Sequence, residues 1–105
     1  MVIEFLTFTV PLPKQKEWKA LDESIWTNFL STQDGFLRKE LWQSSDDSEK
    51  LHAVIWWRDM ESWKAISEEQ IKVVDRDMGD YLIEPEMRKF SVIASPQYAL
   101  ELPLN

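Results

Sequence analysis

The sequence predicts an α+β fold of the ferredoxin-like kind, a four-stranded antiparallel sheet with two helices on one face, completed by a second copy against the open face. Three observations predict it. Segments of strand composition and segments with a 3.6-residue apolar stripe follow one another in the order β-α-β-β-α-β. The third strand is apolar on both of its phases, although two helices can cover only one face of a sheet. Finally, 105 residues provide one core and no more, which makes a second copy the natural cover for the other face.

The first strand is expected over residues 2–10, where Ile3, Phe5, Leu6, Phe8 and Val10 are spaced by Thr7 and Thr9 and stopped by Pro11 and Pro13. Residues 13–32 read as the first helix. Its stripe is Trp18, Leu21, Ile25, Trp26, Phe29 and Leu30, with Pro13 suited to the first turn and Gly35 to the cap. Strand two is expected over residues 36–44, with Leu37, Lys39, Leu41 and Gln43 on one phase and Phe36, Arg38, Glu40 and Trp42 on the other. The polar turn at 44–48 joins it to strand three, residues 51–58. There Leu51, Ala53, Ile55 and Trp57 oppose His52, Val54, Trp56 and Arg58, and only one of these phases can meet the helices. Asp59 caps a second helix from Met60, and the Ser67-Glu68-Glu69-Gln70 capping-box pattern restarts it after a break near Ile66. Gly79 ends the helix, and residues 89–95 read as strand four, with Phe90, Val92 and Ala94 on one phase. The whole of residues 1–105 forms one domain, without repeat or linker.

Hydrophobic residues make up 44% and charged residues 30%, the balance of a packed globular chain. With no cysteine there can be no disulfide, thiolate metal site or cysteine nucleophile. The acidic start Met1-Val2-Ile3-Glu4 does not read as a secretory signal, and no apolar run is long enough to span a membrane, so a cytoplasmic location is expected. The net charge of −7 is concentrated between Asp59 and Glu86, which argues against nucleic acid and anionic membranes as partners. Asp75, Asp77, Gly79 and Glu86 loosely imitate a calcium loop, but its sixth position is Asp80, where glycine is required, and no metal site is expected. Gly35 and Gly79 belong to no phosphate-binding loop, so no nucleotide cofactor is implied.

Two sets of residues are candidates for chemistry. His52, the lone histidine, could act as a general base on a phenol or enol if it faced a helix-covered pocket, and is otherwise an ordinary strand residue. Among six tryptophans, Trp26 and Trp63, joined by Tyr81, could stack on a flat apolar ligand between helices and sheet, the alternative being simple core.

Asp34-Gly35-Phe36-Leu37 entering strand two, and Val54-Ile55-Trp56-Trp57-Arg58-Asp59-Met60-Glu61-Ser62-Trp63 leaving strand three, resemble the antibiotic-biosynthesis-monooxygenase-like family of dimeric α+β barrels. The segments Ile25-Trp26, Gly35-Phe36 and Trp57 to Ile66 are similar, more narrowly, to a group of small proteins seen mainly in cyanobacteria. The resemblance implies a homodimer and a small apolar or aromatic ligand. It also implies cofactor-free monooxygenation, with a non-catalytic interaction or ligand-sensing module as the alternative. Haem-degrading members keep an Asn on strand one, a Trp on helix two and a His beyond it. The matching positions here are Thr7, Ile66 and Arg76, so the resemblance argues against haem degradation.

Overall fold

The computed structural model describes residues 1–94. Strand β1 spans Val2–Thr9, β2 Phe36–Gln43, β3 Lys50–Trp57 and β4 Glu86–Ser91, forming one antiparallel sheet in the order β2-β3-β1-β4. Between β1 and β2 lie a 3-10 turn, helix α1 (Gln15–Leu21), a π-helical turn (Asp22–Thr27) and helix α2 (Asn28–Ser31), one helical run with a wide turn in its middle. Between β3 and β4 lie α3 (Met60–Lys64), α4 (Glu68–Asp77) and a 3-10 turn at Gly79–Tyr81. The expected break near Ile66 is present. Asp59 caps α3 by accepting from the Ser62 amide, and Ser67 with Gln70 forms a reciprocal capping box that starts α4.

Register decides which side chains face the helices. Val2, Leu6 and Phe8 of β1 lie opposite Trp57, Ala53 and Leu51 of β3, and these six share the helix-covered face. The phase Leu51, Ala53, Ile55 and Trp57 is therefore the inward one, each of its members at most 2% exposed. Two apolar clusters result: Val2, Leu30, Ile55, Trp57 and Trp63 at one end, and Val10, Trp18, Leu51 and Met78 at the other.

Two boundaries differ from the sequence expectation. Strand four was expected over residues 89–95 and runs instead over Glu86–Ser91, with Ser95 outside the described residues. As an edge strand exposed at every position, it is placed by pairing with β1, Met87 on Leu6 and Phe90 on Ile3, and an exposed edge carries little apolar pattern of its own. In β2 the register shifts between Phe36 and Arg38, so Phe36 joins Lys39, Leu41 and Gln43 on the helix side, and Leu37 drops out of that phase. Gly35 precedes this bulge with φ of +83°. A Cβ there would fall 2.2 Å from Ser62 Oγ, so glycine is required both by backbone and by space.

Candidate functional site

A partly enclosed cavity of about 490 Å³ lies between the sheet and the helices. Its floor is the inward sheet face, with Glu4, Leu6 and Phe8 from β1, Ala53 and Ile55 from β3, and Lys39 from β2. Ala53, the smallest side chain of that inward row, leaves the centre of the floor open. Trp18, Trp26 and Leu30 of the first helical run form one wall, and Trp63, Ile66 and Ile71 of the second form the other. Leu82, Ile83 and Pro85, approaching β4, close one end.

Charged groups interrupt this apolar lining, among them Glu4, Asp22 and Lys39. Register places Lys39 opposite Ile55, and Ile55 opposite Glu4, so that Lys39, Ile55 and Glu4 form one row across the central strands. Lys39 Nζ donates to Asp22 Oδ2 at 2.6 Å and to Thr27 Oγ1 at 2.8 Å, and the Lys39 and Asp22 side chains are 6% and 7% exposed. Asp22 and Thr27 bound the π-helical turn. In such a turn residues five apart stack on one another, and this lets both reach the same ammonium. Glu4 Oε1 accepts from Trp57 Nε1 at 3.1 Å, while its other oxygen makes no hydrogen bond among the described residues.

Burial pushes the Glu4 carboxyl above the usual range, against the opposing influence of the Trp57 hydrogen bond and of Lys64 and Lys39. Burial likewise raises Asp22, with Lys39 opposing, and raises the half-buried Asp75 on the far wall. Buried Trp18, which stacks at a tilt on Phe8 with centroids 4.8 Å apart, keeps an Nε1 donor with no acceptor among the described residues. The arrangement is a largely apolar chamber with a desolvated proton acceptor at one point and a fixed ammonium at another. It suits a flat molecule with polar groups at its edge.

Of the residues singled out from sequence, Trp26 and Trp63 line this cavity. Tyr81 does not; it packs against the cluster of Val10, Trp18, Leu51 and Met78. His52 lies on the opposite face of the sheet, where Nδ1 sits 2.9 Å from Thr7 Oγ1 and the ring stacks on Phe5 with centroids 4.9 Å apart. The condition attached to it, that it face the helix-covered pocket, is not met, because the inward phase of β3 is the one that excludes it. Glu4, Asp22 and Lys39 were missed. The signal for two of them is a charge set into an inward apolar phase, Glu4 between Val2 and Leu6 and Lys39 beside Leu41, and it becomes visible only once the register is known.

A second depression of about 530 Å³ runs outside the helices, between Ser24, Ile25 and Phe29 on one side and Gln70 and Val73 on the other. It is shallower and more open to solvent, so the interior cavity is the candidate site. Among the described residues no group of histidines and carboxylates could hold a metal ion, and no helix is long and apolar enough to cross a membrane.

The model of the antibiotic biosynthesis monooxygenase family matches residues 1–70. The chain belongs to that family. Solved structures with the same fold include SnoaB, a cofactor-independent oxygenase from Streptomyces nogalater, at 19% identity and a TM-score of 0.70, covering 91% of this chain and 96% of that one. A monooxygenase from Streptomyces coelicolor in complex with the ligand nanaomycin D is 12% identical with a TM-score of 0.74, over 90% of this chain and 89% of that one. A structure from Deinococcus radiodurans, described as an antibiotic biosynthesis monooxygenase, is 11% identical with a TM-score of 0.71, over 92% and 97%. No curated protein is significantly similar to the chain in sequence.

Proposed function

We propose that this family member is a homodimer that takes up a small, flat apolar or aromatic molecule between its helices and its sheet, and that it oxygenates that molecule without a cofactor. The observation that carries the reading is the cavity itself: apolar walls built partly from Trp26 and Trp63, with a desolvated carboxyl on the floor. Cofactor-free use of dioxygen requires the substrate to supply the electrons, which a carbon acid does once a base removes its proton away from water. For an activated methylene the balance is CH₂ + O₂ → C=O + H₂O, with the carbon oxidised and dioxygen reduced. Similarity to structures described as oxygenases supports the reaction class, and the narrower sequence resemblance to small proteins seen mainly in cyanobacteria would, if it marks true kinship, direct the search for the natural ligand there.

Haem degradation finds no support in the geometry. Ile66 lines the cavity, Arg76 is exposed on α4, and Thr7 lies on the other side of the sheet beside His52, so the three matching positions do not converge. The test is a thermal-shift screen of hydroxylated polycyclic aromatic compounds, with dissolved oxygen followed for each binder. Stabilisation that grows with the logarithm of ligand concentration, with one O₂ consumed per carbonyl formed, is the expected result. Stabilisation without oxygen uptake for every binder would favour the ligand-sensing module, and no stabilisation by any compound would overturn the cavity as a binding site.

A further inference from the structure

We propose that Glu4 and Lys39 select the ligand: the free oxygen of Glu4 accepts a hydrogen bond from a neutral hydroxyl at one edge of a flat ring system, and Lys39 donates to an oxygen at the opposite edge. This rests on the cavity being the binding site. Lys39 and Glu4 flank Ile55 in a single row across three strands, which sets their Cα atoms two strand spacings, about 9.5 Å, apart. Ile55 between them, and Ala53 in the next row, offer a flat apolar bed for a ring.

Each polar group has unspent bonding capacity. Trp57 Nε1 fixes Oε1 of Glu4 and leaves the second oxygen without a partner among the described residues. Lys39 carries three N–H donors, of which Asp22 and Thr27 take two, and those two bonds hold the ammonium in place. The donor on the ligand is a hydroxyl and not an ammonium, because Lys39 and Lys64 already act on Glu4 and a third cation would be set against both. The other acids on the cavity wall, Asp22, Glu68 and Asp75, come from helical elements across from Glu4, and Asp22 is already neutralised by Lys39.

Equilibrium dialysis with four probes of one ring shape tests this: 2-methylnaphthalene, 2-naphthol, 2,6-dihydroxynaphthalene and naphthalen-2-ylmethylammonium. The native protein should bind 2-naphthol about tenfold more tightly than 2-methylnaphthalene, as a hydrogen bond to a carboxylate against none implies, and 2,6-dihydroxynaphthalene more tightly again. In Glu4→Gln the amide oxygen stays with Trp57 and an NH₂ donor faces the cavity, so the preference for 2-naphthol should shrink to what donors to its oxygen supply, while 2-methylnaphthalene binds as before. Lys39→Met should lose only the gain from the second hydroxyl. Equal binding of the methyl and hydroxyl probes, or tightest binding of the ammonium probe, would overturn the selection role while leaving an apolar binding cavity standing. Failure of every probe to bind would remove both. The ranking in the native protein decides the matter even if a variant folds poorly.

Discussion

Asp22 and Lys39 are 17 residues apart in the chain and meet at 2.6 Å in a place where neither is more than 7% exposed. Removing two charges from water costs several kcal/mol each, repaid only when the geometry is good and further hydrogen bonds are made, as Thr27 makes here. Such a pair stabilises little as a unit but is costly to break. Asp22→Ala should therefore lose about 3 to 5 kcal/mol in urea denaturation, because it strands a buried ammonium. The double change Asp22→Leu with Lys39→Met should recover most of that loss, and a double variant as unstable as the single one would show that the pair is not the source. Glu4 gives a pH-dependent counterpart. Its folded-state pKa is raised by burial, so the fold favours the protonated form. The penalty of ionisation is absent below the unfolded value near 4.5 and grows as pH rises through the folded one. Glu4→Gln, which mimics the protonated form and keeps an acceptor for Trp57, should thus melt like the native protein at pH 4 and above it at pH 7. A melting difference independent of pH would contradict the assignment. These charges were not legible in sequence, because nothing local marks Lys39 as the partner of Asp22 or Glu4 as inward. Trp26 and Trp63 were legible, because a helical stripe needs no register to declare its inward side.

The elements that follow local chemistry were likewise readable, and those set by pairing were not. Asp59 and the Ser67 to Gln70 box mark two helix starts by side chains that satisfy nearby amides, a signal carried within four residues. The π-helical turn, the bulge at the start of β2 and the position of β4 depend on partners far along the chain. Local pattern accordingly predicts one uninterrupted first helix, keeps Leu37 in a phase it does not hold, and sets strand four three residues late. Gly35 sits where both kinds of information meet. Its positive φ closes the helical run, its carbonyl accepts from the Arg58 amide at 2.8 Å, and Ser62 occupies the space a side chain would need. Gly35→Ala should cost about 2 to 4 kcal/mol, the left-handed backbone and the overpacking each contributing about 1 to 2. Adding Ser62→Gly should recover the packing part alone. Full recovery in the double variant would mean that backbone strain plays no part, and no recovery would mean that the contact with Ser62 does not.

The described molecule is thin, 21 Å through its shortest dimension, with helices on one side of the sheet only. The bare side carries Ile3 and Phe5 of β1, Val54 and Trp56 of β3, Trp42 of β2 and Phe90 of β4, with Phe5 in edge contact with both Trp42 and Phe90, and Trp42 with Trp56. Charges stand on the two edge strands and at the start of β3, where Lys50 donates to Thr9 Oγ1. Arg38 lies over Trp56 and pairs with Glu40, and Arg88 lies over Phe90. An apolar aromatic centre within a charged rim fits the proposed homodimer, in which a second copy would cover this face. His52 would then sit inside that interface, bonded to Thr7, which gives the lone histidine a packing role. Light scattering at micromolar concentration should give twice the 12.5 kDa chain mass. The decisive substitution must spare the protomer. Val54 belongs to this face but is 1% exposed already, so a charge there would damage a lone chain and prove nothing. Trp42 is 45% exposed without a partner, so Trp42→Asp can fold as a monomer but would bury an unpaired carboxylate in the dimer. The variant should run near the single-chain mass. Because an interface of this kind commonly buries about 2,000 Å² or more, its loss should also lower the melting temperature and make the native protein's melting concentration-dependent where the variant's is not. A Trp42→Asp protein that keeps the native mass, or a native protein that is a cooperative monomer at micromolar concentration, would remove the case for the dimer through this face.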